Sequence, residues 1–296
     1  ACDEILLGRT EVALALGINM EAATPASEHA MSSMRTTGDV DFHASGGFIP
    51  ISWYAMDAMR YMHEYGATRE QLGAVAVKNR WHASMNPLAQ YRKPITLPEV
   101  LEQRPIVEPL GLYDVPGRSD GAACLVLASE EVARSLGRPY ALVRGRGFCH
   151  DGSHQINEVP NDMTELIAAK QAAATAYAQA GIAAKDIDVA EFYAPCTIVE
   201  VLVSEAVGFF ARGEGAPAAA DGRTRLGGQF PISTSGGLTS RGHPAYVTSL
   251  YNYCEMADQL RGRAGERQVA NARLGLTTGE LGNYNAALVH VMEAQR

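Results

Sequence analysis

A glycine- and hydroxyl-rich run at residues 233–244, STSGGLTSRGHP, constrains this chain more than any other segment. Its glycines permit positive φ angles and close approach of the backbone to a ligand. Pro244 suits the first turn of a helix, and an amphipathic pattern predicts that helix over residues 245–260. His243, held in such a turn, can donate to an anionic oxygen or act as a base. On spacing alone, a loop that only joins two buried elements explains the run equally well.

Composition and cysteine content exclude several classes of protein. The 296 residues are 47% hydrophobic and 20% charged, enough for one large domain or two closely packed ones. A net charge of −8 with dispersed lysines and arginines argues against a nucleic-acid partner. Five cysteines without CxxC spacing argue against a zinc ribbon or a disulfide framework and favour reduced thiols in the cytoplasm. No apolar run is long enough for a membrane span, and no signal peptide is recognisable.

The hydrophobic pattern predicts an α/β chain in which helices and strands alternate. Helices are predicted near residues 1–8, 51–64, 68–84, 130–136, 162–180, 197–210 and 245–260. Strands are predicted at residues 11–18, 120–128, 189–194, 272–278 and 286–292, with the first two buried, and residues 140–147 open what looks like a second half. Loops or extended arms are predicted at residues 22–50, 86–109 and 213–225.

Two parts of the chain are similar to each other. In residues 2–17 and again in residues 254–276, a helix ends at a glycine and an apolar strand follows. The apolar runs 122–127 and 286–291 also match. A duplicated α/β half explains these similarities economically, although matches this short can arise by chance.

The duplication predicts two domains. The first half would occupy residues 1–138, with a loop region at about 22–115, and the second half residues 139–296. Residues 1–8 have the pattern of the last turns of a helix, so the first half is expected to lack its N-terminal part in this chain.

Several longer motifs occur in a fixed order along the chain. They are YGATREQ at 65–71, AVKNRWHASMNP at 76–87, YRKPIT at 91–96, SDGAA at 119–123, SGG at 235–237, GHP at 242–244 and QLRG at 259–262. Together they resemble the thiolase superfamily, specifically the sterol-carrier-protein type of thiolase. The resemblance implies two βαβαβαββ halves in a five-layer arrangement, a loop region over the active site and a homodimer. It also implies substrates carried as coenzyme A thioesters, with no covalently bound cofactor.

The chain departs from the family at the nucleophile. A thiolase uses a cysteine at the start of a helix, where the helix dipole lowers the thiol pKa. In the family that cysteine lies just upstream of the helix matching residues 1–8, and Cys2 comes about two turns too late to replace it. The nucleophile is therefore expected on sequence upstream or on a separate polypeptide. Cys196 lies at the start of a predicted helix. It would be a nucleophile if its thiol ionised and a packed side chain otherwise.

At two further positions, this chain has a different residue from the one that the family uses in catalysis. Tyr193 occupies the place of an asparagine or histidine that orients a water, and lipid-transfer-protein aldolases resemble this chain in having tyrosine there. A buried structural tyrosine is the alternative. In the turn where thiolases carry a cysteine or histidine that moves the α-proton, this chain has Glu280. Glu280 is a candidate acid or base, or simply an exposed glutamate of a hairpin.

The resemblance assigns the remaining site residues. His243 would donate to the thioester or enolate oxygen. Ser235, Gly236 and Gly237 would contact the pantetheine arm of coenzyme A, and Arg92 lies in the region that covers it. His150 and His154 have metal-pair spacing but no third ligand, so no metal site is predicted.

These features favour an enzyme that makes or breaks a C–C bond of a coenzyme A thioester, specifically by retro-aldol cleavage of a β-hydroxyacyl-CoA. One alternative is an acetyl-CoA acyltransferase or 3-ketoacyl-CoA thiolase with its nucleophile upstream. Another is a non-catalytic subunit that binds acyl-CoA or lipid. By the same resemblance, a small zinc-bearing OB-fold protein is the expected partner.

Overall fold

The computed structural model describes residues 1–36, 40–151, 162–282 and 284–295. Its helices are α1 (Cys2–Leu6), α2 (Ala26–Thr36), α3 (Pro50–Tyr65), α4 (Arg69–Ser84), α5 (Leu97–Leu101), α6 (Glu130–Ser135), α7 (Ile167–Ala180), α8 (Thr197–Ala206), α9 (Gly215–Ala220), α10 (Gly237–Arg241) and α11 (Thr248–Leu260). Its strands are β1 (Val12–Asn19), β2 (Pro105–Val107), β3 (Leu110–Gly111), β4 (Gly121–Ala128), β5 (Tyr140–His150), β6 (Val189–Glu191), β7 (Leu274–Leu281) and β8 (Ala286–Gln295).

The larger sheet has four strands in the order β5-β8-β7-β6, with only β6 and β7 parallel. A second sheet is the antiparallel pair β1 and β4, and β2 and β3 form a third. In both larger sheets, a helix that ends at a glycine with positive φ (Gly8 or Gly262) leads into an antiparallel pair. This is the structural counterpart of the internal similarity. The boundary at residue 138 stays a prediction.

Helix α11 lies between the two larger sheets and α7 covers the far face of the four-stranded one. A Cβ on Gly275 of β7 would lie 2.0 Å from the Met256 sulfur of α11. A Cβ on Gly147 of β5 would lie 1.8 Å from the Ala172 carbonyl oxygen of α7. Only glycine permits this close helix–sheet packing, which sets the distance between layers.

The prediction that β1 and β4 are buried is wrong. Leu14 and Leu16 of β1 are 68% and 66% exposed, and Val126 of β4 is 71% exposed. Side chains alternate along a strand, so one face of this pair packs on α11. Among the described residues, nothing covers the opposite face. A continuous apolar run indicates two apolar faces, but not whether both are covered.

Three segments predicted as loops contain helices. The region 22–50 holds α2 and a π-helical turn, Val40–Ala44. The region 86–109 holds α5, and the predicted surface loop at 213–225 holds α9, which packs against α4 and α8. The sequence of α9, GAPAAA, has no polar face, so it carries no helical periodicity to detect.

Helices α3 and α4 confirm their sequence predictions. The Thr68 hydroxyl accepts from the Gln71 amide at 3.3 Å, and Gln71 Oε1 accepts from the Thr68 amide at 3.0 Å. This reciprocal pair is a capping box, which satisfies two backbone donors at the start of α4. Within the described part of the chain, no helix is both long enough and apolar enough to cross a membrane.

A buried ion pair joins α4 to α8 beneath the glycine-rich run. Lys78 Nζ lies 2.9 Å from Glu200 Oε1, with the two side chains only 5% and 3% exposed. The same ammonium donates to the Ile232 carbonyl oxygen at 2.8 Å. Because both charges are desolvated, each depends on the other for compensation.

Replacing Lys78 with methionine should lower the free energy of unfolding by about 3–5 kcal/mol, because Glu200 would stay buried without its partner. Arg134→Met, which breaks an exposed pair with Glu130, should cost no more than about 1 kcal/mol. Urea denaturation of the two variants measures both values. Equal losses would show that the buried pair is not a structural anchor.

Candidate active site

Two of the predicted catalytic side chains meet in the structure. Tyr193 comes two residues after β6, and His243 follows α10. The Tyr193 hydroxyl oxygen lies 3.0 Å from His243 Nε2, and the rings meet edge to face with centroids 5.6 Å apart. Both side chains are partly buried. The structure therefore brings together an imidazole and a phenol that are 50 residues apart in sequence.

The backbone around each ring is held by hydrogen bonds. The Tyr193 amide donates to the Thr278 hydroxyl of β7 at 2.9 Å, and the Tyr193 carbonyl accepts from the Tyr284 hydroxyl. The His243 amide donates to the Ser119 hydroxyl at 3.0 Å. The backbones of Tyr193 and His243 are thus tied to different segments, which limits how far the two rings can separate.

Burial sets the charge of this pair. Desolvation, and then the nearby Arg241 charge, lowers the pKa of His243 to about 4, so the imidazole is neutral at neutral pH. In the tautomer that carries its proton on Nδ1, the neutral ring presents Nε2 as an acceptor. Burial raises the pKa of Tyr193, so its hydroxyl keeps its proton and can donate a hydrogen bond to Nε2.

Glu280, at the end of β7, is not the exposed hairpin residue that was the alternative. Its Oε1 accepts from the Tyr54 hydroxyl of α3 at 3.0 Å, while Oε2 is shielded from solvent and has no hydrogen-bond partner among the residues that the structure describes. Burial raises the pKa of Glu280 to about 8, although hydrogen bonds to Tyr54 and the Tyr284 amide oppose this. A carboxyl in this state is mostly protonated at neutral pH and can donate a proton.

The site groups lie close enough to affect each other electrostatically. The Glu280 charge raises the pKa values of Tyr193 and of Cys196, after burial as the main cause. Cys196 is 1% exposed and precedes α8. Burial and the carboxylates of Asp114, Glu280 and Asp57 keep it a thiol. Its position at a helix start therefore does not make it a thiolate nucleophile.

The predicted coenzyme A contacts occupy different settings. Ser235 is completely buried, and its hydroxyl donates to Glu191 Oε2 at 2.7 Å. A Cβ on Gly236 would lie 2.7 Å from Ala83 Cβ of α4, and one on Gly237 would lie 2.9 Å from Asn79 Nδ2. These three residues pack the run against the protein.

The fourth predicted contact, Arg92, is exposed. The structure does not bring it together with the Tyr193–His243 pair through any hydrogen bond or ion pair between described residues. Contacts of all four residues with coenzyme A stay predictions.

Sequence reasoning missed a buried carboxylate that organises the glycine-rich run. Glu191 Oε1 accepts from the Ser235 amide at 2.9 Å and from the Thr234 hydroxyl at 3.1 Å. Arg241 Nη1 lies 3.6 Å from Glu191 Oε2 and donates to the Ser235 hydroxyl at 3.1 Å. Burial, followed by the Glu255 charge, raises the pKa of Glu191. A glutamate within an otherwise apolar strand was the available signal.

Of the two histidines with metal-pair spacing, only His150 lies among the described residues. His154 lies outside the described residues, so its pairing with His150 is untested. In the rest of the chain that the structure describes, no cluster of three or more His, Cys, Asp or Glu side chains could hold a metal ion.

Comparisons with known proteins agree on one family. Residues 150–294 match the family model described as Thiolase C-terminal domain-like. The chain is 37% identical over 259 residues to an acetyl-CoA acetyltransferase of Methanothermobacter thermautotrophicus, an alignment that covers 88% of this chain and 67% of that protein. It is 39% identical over 216 residues to a steroid side-chain-cleaving aldolase of Thermomonospora curvata, covering 72% of this chain and 54% of the aldolase.

A solved structure extends this likeness to the fold. The Ltp2-ChsH2(DUF35) aldolase superimposes with a TM-score of 0.86 at 32% identity, covering 99% of this chain and 75% of that chain. The thiolase fold predicted from the motifs is confirmed. From the sequence relationship and the superposition together, the chain belongs to the thiolase superfamily of enzymes.

Proposed function

We propose that this enzyme cleaves the C–C bond of a β-hydroxyacyl-CoA by a retro-aldol reaction. The observation that carries the proposal is the 3.0 Å contact between a protonated tyrosine hydroxyl and a neutral imidazole, Tyr193 and His243. This pair can accept a proton from a substrate hydroxyl. The 39% identity to a steroid side-chain-cleaving aldolase supports the same reaction class.

The chemistry divides between a base and an acid. Tyr193 takes the proton of the substrate β-hydroxyl as its own proton passes to His243 Nε2. The Cα–Cβ bond then breaks, the oxygen becomes a carbonyl, and the electron pair forms the enolate of the thioester. Glu280 delivers its proton to the α-carbon. The enzyme is left with imidazolium and carboxylate, and one proton transfer between them restores it. Acid–base steps of this kind typically contribute 10²- to 10⁴-fold in rate.

Acyl transfer to or from coenzyme A is the second candidate, favoured by the 37% identity to an acetyl-CoA acetyltransferase. That reaction needs a cysteine thiolate. Burial raises the pKa of Cys196 and withholds it from this role.

Assembly and cofactor binding complete the proposal. We propose a homodimer in which the run 233–244 and the exposed Arg92 border the coenzyme A moiety. The solved aldolase is named as Ltp2 with ChsH2(DUF35), which supports a partner protein for this chain also. The expected partner is a small zinc-bearing OB-fold protein.

Affinity purification of the protein from its native cells should recover such a partner, and adding it should raise turnover of a β-hydroxyacyl-CoA. A homodimer that is fully active alone would contradict the proposed partner but would leave the proposed retro-aldol reaction unaffected.

Tyr193→Phe should reduce kcat for β-hydroxyacyl-CoA cleavage about 10²- to 10⁴-fold and leave KM within about twofold, because it removes the proton relay and little binding surface. The matched control is Tyr253→Phe, since Tyr253 forms a comparable pair with His290 at 2.7 Å. The control should keep turnover within about threefold. Persistent 3-ketoacyl-CoA thiolysis with no cleavage activity would favour the acyltransferase instead.

The pH dependence of kcat tests the division of roles. Turnover should decline as pH rises through about 8, where Glu280 loses the proton that it donates. It should also decline as pH falls toward about 4, where His243 becomes protonated and can no longer accept. Glu280→Gln should lower kcat and abolish the alkaline decline. A wild-type rate that increases through pH 8 would assign Glu280 the opposite role.

A further inference from the structure

Tyr284 contacts both Tyr193 and Glu280 but has no acid or base role in the proposed reaction. It sits in the turn before β8 and is only 2% exposed. We infer that Tyr284 is a positioning residue that sets Tyr193 relative to Glu280. The inference rests on the proposed function, because it concerns the geometry of the same acid and base.

The contacts of the Tyr284 hydroxyl converge on the backbone of Tyr193. The hydroxyl donates to the Tyr193 carbonyl and lies 3.2 Å from the Thr278 hydroxyl. Thr278 in turn accepts from the Tyr193 amide at 2.9 Å. Both polar groups of the Tyr193 peptide backbone are therefore held by one unit, Thr278 with Tyr284. The Thr278 carbonyl accepts from Asn252 of α11 at 3.3 Å, which anchors this unit in the layer between the sheets.

The backbone of Tyr284 is in an unusual conformation. Its φ is +60°, in the left-handed region that bulky side chains rarely adopt. Such a conformation persists only where the surroundings over-determine it, and residues of this kind cluster at functional sites. Here a buried ring and a bonded hydroxyl hold it in place. The Tyr284 backbone amide hydrogen-bonds to the Glu280 carboxyl on β7, so the same residue contacts both Tyr193 and Glu280.

Thr278 shares this position, since its hydroxyl also bonds to Tyr193 and it lies two residues before Glu280 on β7. The Tyr54 hydroxyl bonds to Glu280, and the His243 ring bonds to Tyr193. Tyr284 is connected to Tyr193 through its side chain and follows Glu280 through its turn. A change at its hydroxyl should therefore shift the phenol of Tyr193 against His243.

Tyr284→Phe tests this inference. It should lower kcat about 10- to 100-fold with KM within twofold, because small displacements of reacting groups are costly. The control is Tyr177→Phe, which removes a similar bond, from a tyrosine hydroxyl to the Val207 carbonyl at 2.9 Å. The control should retain kcat within twofold. Thr278→Val removes the other half of the unit and serves as a second variant if Tyr284→Phe folds poorly.

A spectroscopic measurement separates positioning from general destabilisation. In ¹⁵N-histidine-labelled protein, the Nε2 resonance of His243, assigned with His243→Gln, should move in Tyr284→Phe and stay in Tyr177→Phe. An unmoved resonance, or equal effects in both variants, would overturn the inference. A moved resonance in a protein whose wild type cleaves no β-hydroxyacyl-CoA would uphold the positioning of the pair and refute the proposed reaction.

Discussion

The chemistry of this site depends on the exclusion of water from one imidazole, that of His243. A histidine side chain in water has a pKa of about 6.5, so its protonated and neutral forms coexist near neutral pH. Burial, together with the nearby charge of Arg241, lowers the pKa of His243 to about 4 and keeps its imidazole neutral. Only then can Nε2 accept from Tyr193 throughout the physiological range. The same exclusion of water raises the pKa of Glu280 to about 8, so one physical cause supplies both a base and an acid.

Buried polar groups below the site hold the segment that carries His243. Glu191 of β6 bonds to Ser235, and Arg241 bonds to Ser235 and lies beside Glu191, while Lys78 with Glu200 supports the glycine-rich run from beneath. Burying these charges is costly unless each is paired, so the run has few ways to rearrange. A rigid run fixes His243 at its end. The stability of the fold and the geometry of the site therefore share residues.

Much of the fold could be predicted from sequence because local signals agreed. Helix α3 has an amphipathic pattern and α4 begins with a capping box, and the GHP motif with Tyr193 gave two side chains that the structure brings together. Helix α9 was missed because its small apolar residues give no periodicity. The exposure of β1 was missed because side-chain alternation does not reveal what covers a face. Tyr54 and Tyr284 were missed because their contacts with Glu280 and Tyr193 join segments far apart in sequence, and no local pattern records them.

The central claim is the protonation state of His243, and a pH titration of its ¹⁵N resonances measures it directly. We expect a neutral ring with a hydrogen-bonded Nε2 from pH 8 down to near pH 4, where protonation begins. We also expect the Nε2 resonance to move in Tyr193→Phe. A ring that titrates near pH 6.5, as an exposed histidine does, and whose Nε2 resonance is unchanged in Tyr193→Phe would show that His243 is neither desolvated nor bonded to Tyr193.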